Sequence, residues 1–169
     1  MSFVKISVND LNENFFNSIG KEWMLVTAGD KNKFNMMTAS WGFTGVMWNK
    51  PCAIAAIRPQ RYTKQFVDES DYYTLSFYGD NKEIHSVCGK LSGRDVDKVA
   101  KTGLTPVFDD DTETVFFKEA RLVLICRKIC VTKLEPGNFL SSDIPKSIYP
   151  LNDYHTMYYG EIVSVLKNC

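Results

Sequence analysis

Residues 35–63 contain Asn35-Met36-Met37-Thr38-Ala39-Ser40-Trp41-Gly42, then Pro51-Cys52-Ala53-Ile54-Ala55-Ala56-Ile57, then Arg58-Pro59-Gln60-Arg61-Tyr62-Thr63. The run 51–57 is continuously small and apolar, the pattern of a strand buried on both faces. Residues 34–41 read as a second strand. Side chains alternate across a pleat, so Met36, Thr38 and Ser40 point one way and Asn35, Met37, Ala39 and Trp41 the other. Small residues let a backbone approach a flat ring, and Asn, Thr and Ser bond either backbone or ligand. Arg58, Arg61 and Thr63 stand where the buried strand meets the start of a helix. Guanidinium forks match phosphate oxygens, and a helix start offers free N–H groups. One patch suits a planar ligand and the other a phosphate, which together suggest a mononucleotide. The plain alternatives are an ordinary strand with a core tryptophan, and arginines paired to acids such as Asp68 or Glu69. The residues alone leave both open.

Outward from this stretch, strands dominate. Residues 23–28, 71–78, 115–117 and 122–134 carry the β-branched and aromatic residues that favour a pleat. Residues 154–166 read as a closing strand interrupted at Gly160, where a bulge or close backbone approach is expected. Helices are short: 11–19 capped by Asn9 or Asp10, 63–69, one from a capping box of Asp80 and Glu83 to about Cys88, and one over 93–101 stopped by Gly103. Pro136, Pro145 and Pro150 keep 136–153 mostly in loop. Strands do not alternate regularly with long helices, which disfavours a doubly wound parallel sheet. The expected fold is mainly β with peripheral helices, an antiparallel barrel.

The chain has 169 residues, a length expected to form one domain over 1–169. Twenty basic and twenty acidic side chains balance to a formal charge of zero. Bulk attraction to nucleic acid or to anionic lipid is therefore not expected. Low net charge opposes self-association little, a weak pointer to an oligomer. No apolar run reaches the roughly 20 residues of a membrane span, and the first residues lack a signal-peptide pattern. The expected location is the cytoplasm. The five cysteines are irregularly spaced. Cys126 and Cys130, on one face of a strand, would lie about 13 Å apart, too far for a disulfide. Free thiols are expected, and no zinc pattern or other metal site is visible.

His155 lies in an aromatic strand, as a satisfied structural residue or as a polar contact at a ligand's edge. His85 reads as structural or exposed on a polar helix. Asp109-Asp110-Asp111 reads as a solvated turn. No P-loop, GxGxxG or GxSxG motif is present. Any chemistry is therefore expected to come from a bound cofactor, which leaves the catalytic residues unassigned.

Four segments in order resemble the flavin reductase-like family, and within it the flavoredoxin-like branch: 35–42, 58–63, Ser92-Gly93-Arg94-Asp95-Val96-Asp97-Lys98, and Asp153-Tyr154-His155-Thr156-Met157-Tyr158-Tyr159-Gly160-Glu161-Ile162. The resemblance spans residues 17–165. It implies an FMN-binding split β-barrel, usually a homodimer with flavin sites near the subunit interface. Asn35, Met36, Met37, Thr38, Ala39, Ser40 and Trp41 would border the isoalloxazine. Arg58, Arg61 and Thr63 would hold the phosphate with Tyr62 packed beside it. Ser76 and Phe77 would border the ring, and His155 would lie near the pocket. Met47 and Trp48 stand where the family often has serine-rich turns and would narrow the site. The implied activity is an FMN-dependent oxidoreductase taking electrons from NADH, NADPH or another reduced carrier to a flavin, metal ion or partner protein. An FMN electron carrier between redox protein partners, and a flavin storage or sensor module, are the other readings.

Overall fold

The computed structural model describes residues 2–169. Its strands are β1 (Phe3–Ile6), β2 (Met24–Gly29), β3 (Phe34–Ala39), β4 (Gly42–Met47), β5 (Lys50–Ile57), β6 (Tyr72–Phe77), β7 (Pro106–Phe108), β8 (Val115–Phe117), β9 (Leu122–Lys133) and β10 (Thr156–Asn168). Eight form one sheet in the order β3-β2-β6-β9-β10-β5-β4, with β1 paired to β10. All these pairings are antiparallel. The pairing of β1 with β10 places the two ends of the chain side by side. Strands β7 and β8 form a separate hairpin. The antiparallel split-barrel expectation holds.

Alternation on the strands explains the core. Met24, Val26, Ala28, Met37, Ala39, Tyr73, Leu75 and Phe77 point into the barrel. Leu25 and Met36 point to the opposite face and pack with Ile84, Cys88, Phe116 and Phe117. Each large apolar side chain so buried contributes on the order of 1.5–3 kcal/mol relative to exposure. The run 51–57 is buried throughout except at Pro51, as expected of a strand covered on both faces.

Strand β10 bends where a bulge is expected. Its register against β9 shifts between Tyr159 and Gly160, and again between Ile162 and Ser164. A Cβ at Gly160 would lie 2.6 Å from the Tyr73 hydroxyl and 2.7 Å from Cys126 Cβ. That hydroxyl shares its proton between Ala53 O at 2.9 Å and Tyr158 O at 3.0 Å, tying β6 to β5 and β10 across the interior.

The helices are α1 (Phe15–Asn17), α2 (Thr63–Glu69), α3 (Lys82–Lys90), α4 (Lys98–Thr102) and α5 (Asp143–Ile148). Helix α2 matches its expected span. The expected helix over 11–19 is instead a single α-turn running into a π-helical turn, Ser18–Glu22. Arg121 fixes it by reaching Glu13 and Glu22, each at 2.8 Å. Asn81, not Asp80, caps α3, accepting from the Ile84 N–H. The helix expected from 93 begins only at Lys98, where Asp97 accepts from the Ala100 N–H. Residues 136–153 include a 3-10 turn, Pro136–Asn138, and α5. Proline is tolerated in the first turn of a helix, which lets α5 form around Pro145. All five cysteines are free, as expected. No described helix is long and apolar enough to cross a membrane, and no cluster of metal-ligating side chains occurs among the described residues.

Candidate functional site

Strand β3 ends the sheet, so its outer edge has no strand partner. An unpaired edge presents a row of free N–H and C=O groups. Beyond Ala39 the chain crosses to β5, where the Ala56 N–H donates to Trp41 O at 3.3 Å. A cleft of about 250 Å³ opens along this seam. Met37, Thr38, Ala39, Ser40, Trp41, Arg58, Arg61 and His155 line it, together with Ala56. Three segments distant in sequence thus converge as the motifs suggest.

Arg61 is the distinctive cation here. Its guanidinium donates to Gly89 O at 2.7 Å and Cys88 O at 3.2 Å, the carbonyls ending α3. It pairs with no carboxylate among the described residues. Burial lowers its pKa from the ordinary arginine value. Lys98 donates to Met36 O at 2.8 Å and shares Cys88 O at 3.2 Å, again with no acid. Burial brings its pKa to about 8. Arg94 lies over the Tyr62 ring at 4.5 Å. Arg61 and Lys98 meet at the Cys88 carbonyl, and neither they nor Arg94 form an ion pair among the described residues, a donor set suited to an anionic group.

Arg58 differs. It donates to the Asp153 carboxylate and, at 3.0 Å, to Ile148 O. Gln60 reaches the same carboxylate oxygen at 2.8 Å. The expectation that Arg58 holds a phosphate meets a charge already matched; its contacts fasten residues 148–153 beside the cleft. Neither Asp68 nor Glu69 is its partner. Asp68 pairs with Lys64 at 2.7 Å instead.

Asn35, Met36, Tyr62, Thr63, Ser76 and Phe77 do not line the cleft. Asn35 Nδ2 donates to Thr63 Oγ1 at 2.8 Å, both residues buried, so the Thr63 hydroxyl ties β3 to α2. Met36 packs beneath α3. Tyr62 packs edge-on to Phe66 at 5.1 Å. Ser76 and Phe77 are fully buried. Phe77 faces the barrel interior against Phe15, 5.9 Å between ring centres. Neither side chain opens on this cleft. Met47 and Trp48 lie at the end of β4 and in the following turn and are not among the residues lining this cleft. Trp48 is half exposed, 6.0 Å from the Tyr159 ring.

His155 closes one wall. Its ring lies 4.8 Å from Trp41, and Nδ1 is 2.8 Å from the Tyr149 hydroxyl. Burial, aided by the Arg58 charge, lowers its pKa to about 4. A second cavity of about 350 Å³ adjoins the cleft, sharing Ser40, Trp41, Ala56 and His155 and adding Leu134, Tyr149 and Met157. Tyr149 carried no signal in the sequence beyond being a tyrosine in a proline-rich segment.

His85 is buried, not exposed. Thr38 Oγ1 donates to His85 O at 2.8 Å and sits 3.3 Å from its Nδ1. Ile84, His85 and Cys88 form the buried face of α3. Their spacing is a helical signal that shows the inward turn of His85.

The sequence profile of the flavin reductase like domain matches residues 16–168. The chain belongs to the flavin reductase-like family. Its fold is similar to that of flavoredoxin from Methanosarcina acetivorans, at 23% identity and a TM-score of 0.66, over 87% of this chain and 68% of that one. Flavoredoxin of Desulfovibrio vulgaris (Miyazaki F) is similar at 22% identity and a TM-score of 0.67, over 98% and 77%. The NADH:FAD oxidoreductase of Streptomyces globisporus C-1027, solved with NAD and FAD fragments, is similar at 14% identity and a TM-score of 0.64, over 87% and 74%. No curated protein matches the chain. Family membership supports a redox role with a flavin cofactor.

Proposed function

We propose that this chain is an FMN-binding oxidoreductase that passes reducing equivalents from a reduced nicotinamide, or another reduced carrier, to an acceptor. The observation carrying this reading is the cleft at the free edge of β3, beside Arg61, whose half-buried guanidinium donates to two carbonyls and forms no ion pair among the described residues. The donor set fits FMN. Edge amides and the small residues 38–40 suit the polar rim of a flat ring, and Arg61 and Arg94 suit its phosphate. Thr63 and Asn35 brace the strand and helix that carry those groups.

Bound FMN would supply hydride and one-electron chemistry at its ring. The protein's own groups bind, orient and shield. Trp41 and His155 wall the cleft, and neutral His155 can donate or accept a hydrogen bond without adding a charge. Arg61 neutralises negative charge at the α3 end of the cleft. Arg58 holds the Tyr149 segment against the second cavity.

A homodimer belongs to the same reading. Its support is the apolar surface of β4 and the following turn, where Phe43, Val46, Met47 and Trp48 are exposed. The cytoplasm is the proposed location, in keeping with five unpaired cysteines. The second reading is an FMN electron carrier without its own small-molecule substrate. It is favoured by exposed Trp41 and Phe43 beside the cleft, through which a redox protein could approach.

The test is an absorbance spectrum of the purified protein, then anaerobic NADH and NADPH. Flavin bands that bleach with a nicotinamide support the reductase. Bands that bleach only with a reduced protein partner support the carrier. A colourless protein that fails to take up added FMN would sink both.

A further inference from the structure

His155 has two ring nitrogens in unlike surroundings. Nδ1 meets the Tyr149 hydroxyl at 2.8 Å, in a buried contact. Among the described residues Nε2 has no hydrogen-bond partner, yet it is not closed off from solvent as Nε2 of His85 is. It belongs to a side chain that borders both cavities.

The direction of the Tyr149 bond follows from proton placement. A neutral imidazole carries one N–H. If Nδ1 held it, the phenol would accept, and its own proton would have no acceptor in the protein. A buried O–H left unpaired is disfavoured. If the phenol donates, Nδ1 is the bare nitrogen and the imidazole proton sits on Nε2, where the cavities can receive it. The ring is held in place by Trp41, 4.8 Å away, and by the edge-on Tyr149 ring at 5.5 Å. Arg58 sits 5.1 Å over the Tyr149 ring and donates to Ile148 O, fixing the segment that carries the phenol.

We propose that Tyr149 is a positioning residue that holds His155 in its Nε2–H form, offering a neutral N–H donor to a carbonyl oxygen of a planar molecule in the second cavity. The chemistry of the walls selects that class. Trp41, Phe43, Leu134 and Met157 are apolar or aromatic and suit a flat hydrophobic body. A neutral N–H rewards an acceptor oxygen without demanding a charge. The cavity of about 350 Å³ adjoins the cleft, so such a molecule would lie beside a ring bound there. Its use as a redox substrate rests on the flavin reading; the proton placement does not.

The experiment is nitrogen NMR of the flavin-free full-length chain labelled with 15N-histidine, which contains only two histidines. Signals are assigned with His155→Asn, which removes one set. The expected result is a protonated Nε2 and a bare Nδ1 on His155, with Tyr149→Phe collapsing this into a mixture of both tautomers. Saturating acetophenone should shift the Nε2 signal in the wild type. Protonated Nδ1 in the wild type, or a Tyr149→Phe spectrum unchanged from it, overturns the positioning role. The expected tautomer with no response to acetophenone overturns the carbonyl ligand. The wild-type spectrum decides the tautomer even if Tyr149→Phe does not fold. Failure to bind FMN in a separate titration would remove the flavin reading and leave these outcomes standing.

Discussion

Asn35 and Thr63 meet in a buried hydrogen bond, Nδ2 to Oγ1 at 2.8 Å, which joins β3 to the first turn of α2. The two residues come from two of the three segments that converge on the cleft. Gly93 completes the corner: a Cβ there would lie 2.2 Å from Asn35 Oδ1. Thr63→Val should destabilise the fold by about 1–3 kcal/mol, the cost of leaving a buried amide donor unpaired. A double-mutant cycle with Asn35→Ala, read by urea unfolding, should show the two losses to be non-additive. Additive losses would mean that the bond contributes nothing.

Arg61 and Arg58 should separate cleanly. Arg61→Ala should weaken FMN binding by roughly 1.5–3 kcal/mol, the scale of a hydrogen bond to a charged group. Riboflavin, which lacks the phosphate, should lose far less. Equal weakening of both ligands would make Arg61 structural. The check is a fluorescence titration with each ligand.

Arg58→Ala should act elsewhere. It frees Asp153 and Ile148 O, with a stability loss on the order of 1 kcal/mol for a partly exposed pair. Residues 135–155 should become more susceptible to protease, while FMN affinity falls less than in Arg61→Ala. Limited proteolysis beside the same titration tests this. An Arg58→Ala loss confined to FMN would restore its phosphate role.

Acid should destabilise the chain through its histidines. Burial lowers the pKa of both His85 and His155 from 6.5 to about 4. Between these values the unfolded state binds protons that the native state refuses. The histidine contribution to stability should therefore be level above about pH 6.5 and be lost as pH drops toward 4, by up to about 1.4 kcal/mol per unit for each histidine. Urea midpoints from pH 7 to 4.5 measure it. His85→Asn should flatten the slope, and an unchanged slope would show that neither the burial nor the shift of His85 matters.

Gly160→Ala should be poorly tolerated. The added methyl would meet the Tyr73 hydroxyl and Cys126 Cβ inside normal contact distance. Overpacking of this kind costs typically about 1–3 kcal/mol, and displacing Tyr73 would also disturb its contacts to Ala53 O and Tyr158 O. Thermal unfolding of the variant, with Tyr73→Phe as partner substitution, should show partial relief in the double variant. Independent effects would place the clash elsewhere.

What the sequence by itself determined was local and periodic. The small apolar run 51–57, the alternation of 34–41, the helix 63–69 and the interruption at Gly160 all follow from side-chain size and spacing, and the fold class followed from them. It also brought Met37 to Trp41, Arg58, Arg61 and His155 to one place through motif order. Side-chain partners were decided only by the tertiary structure. Whether an arginine meets a phosphate or a carboxylate depends on what arrives beside it from far along the chain. Asp153 reaches Arg58 across 95 residues, while only the carbonyls of α3 reach Arg61. Ser76 and Phe77 carry an ordinary strand pattern, and nothing local says that both side chains would be fully buried. Tyr149 becomes informative only once α5 folds it onto His155. A hydrogen bond between distant residues leaves no period in the sequence, so its proton placement is legible only in three dimensions.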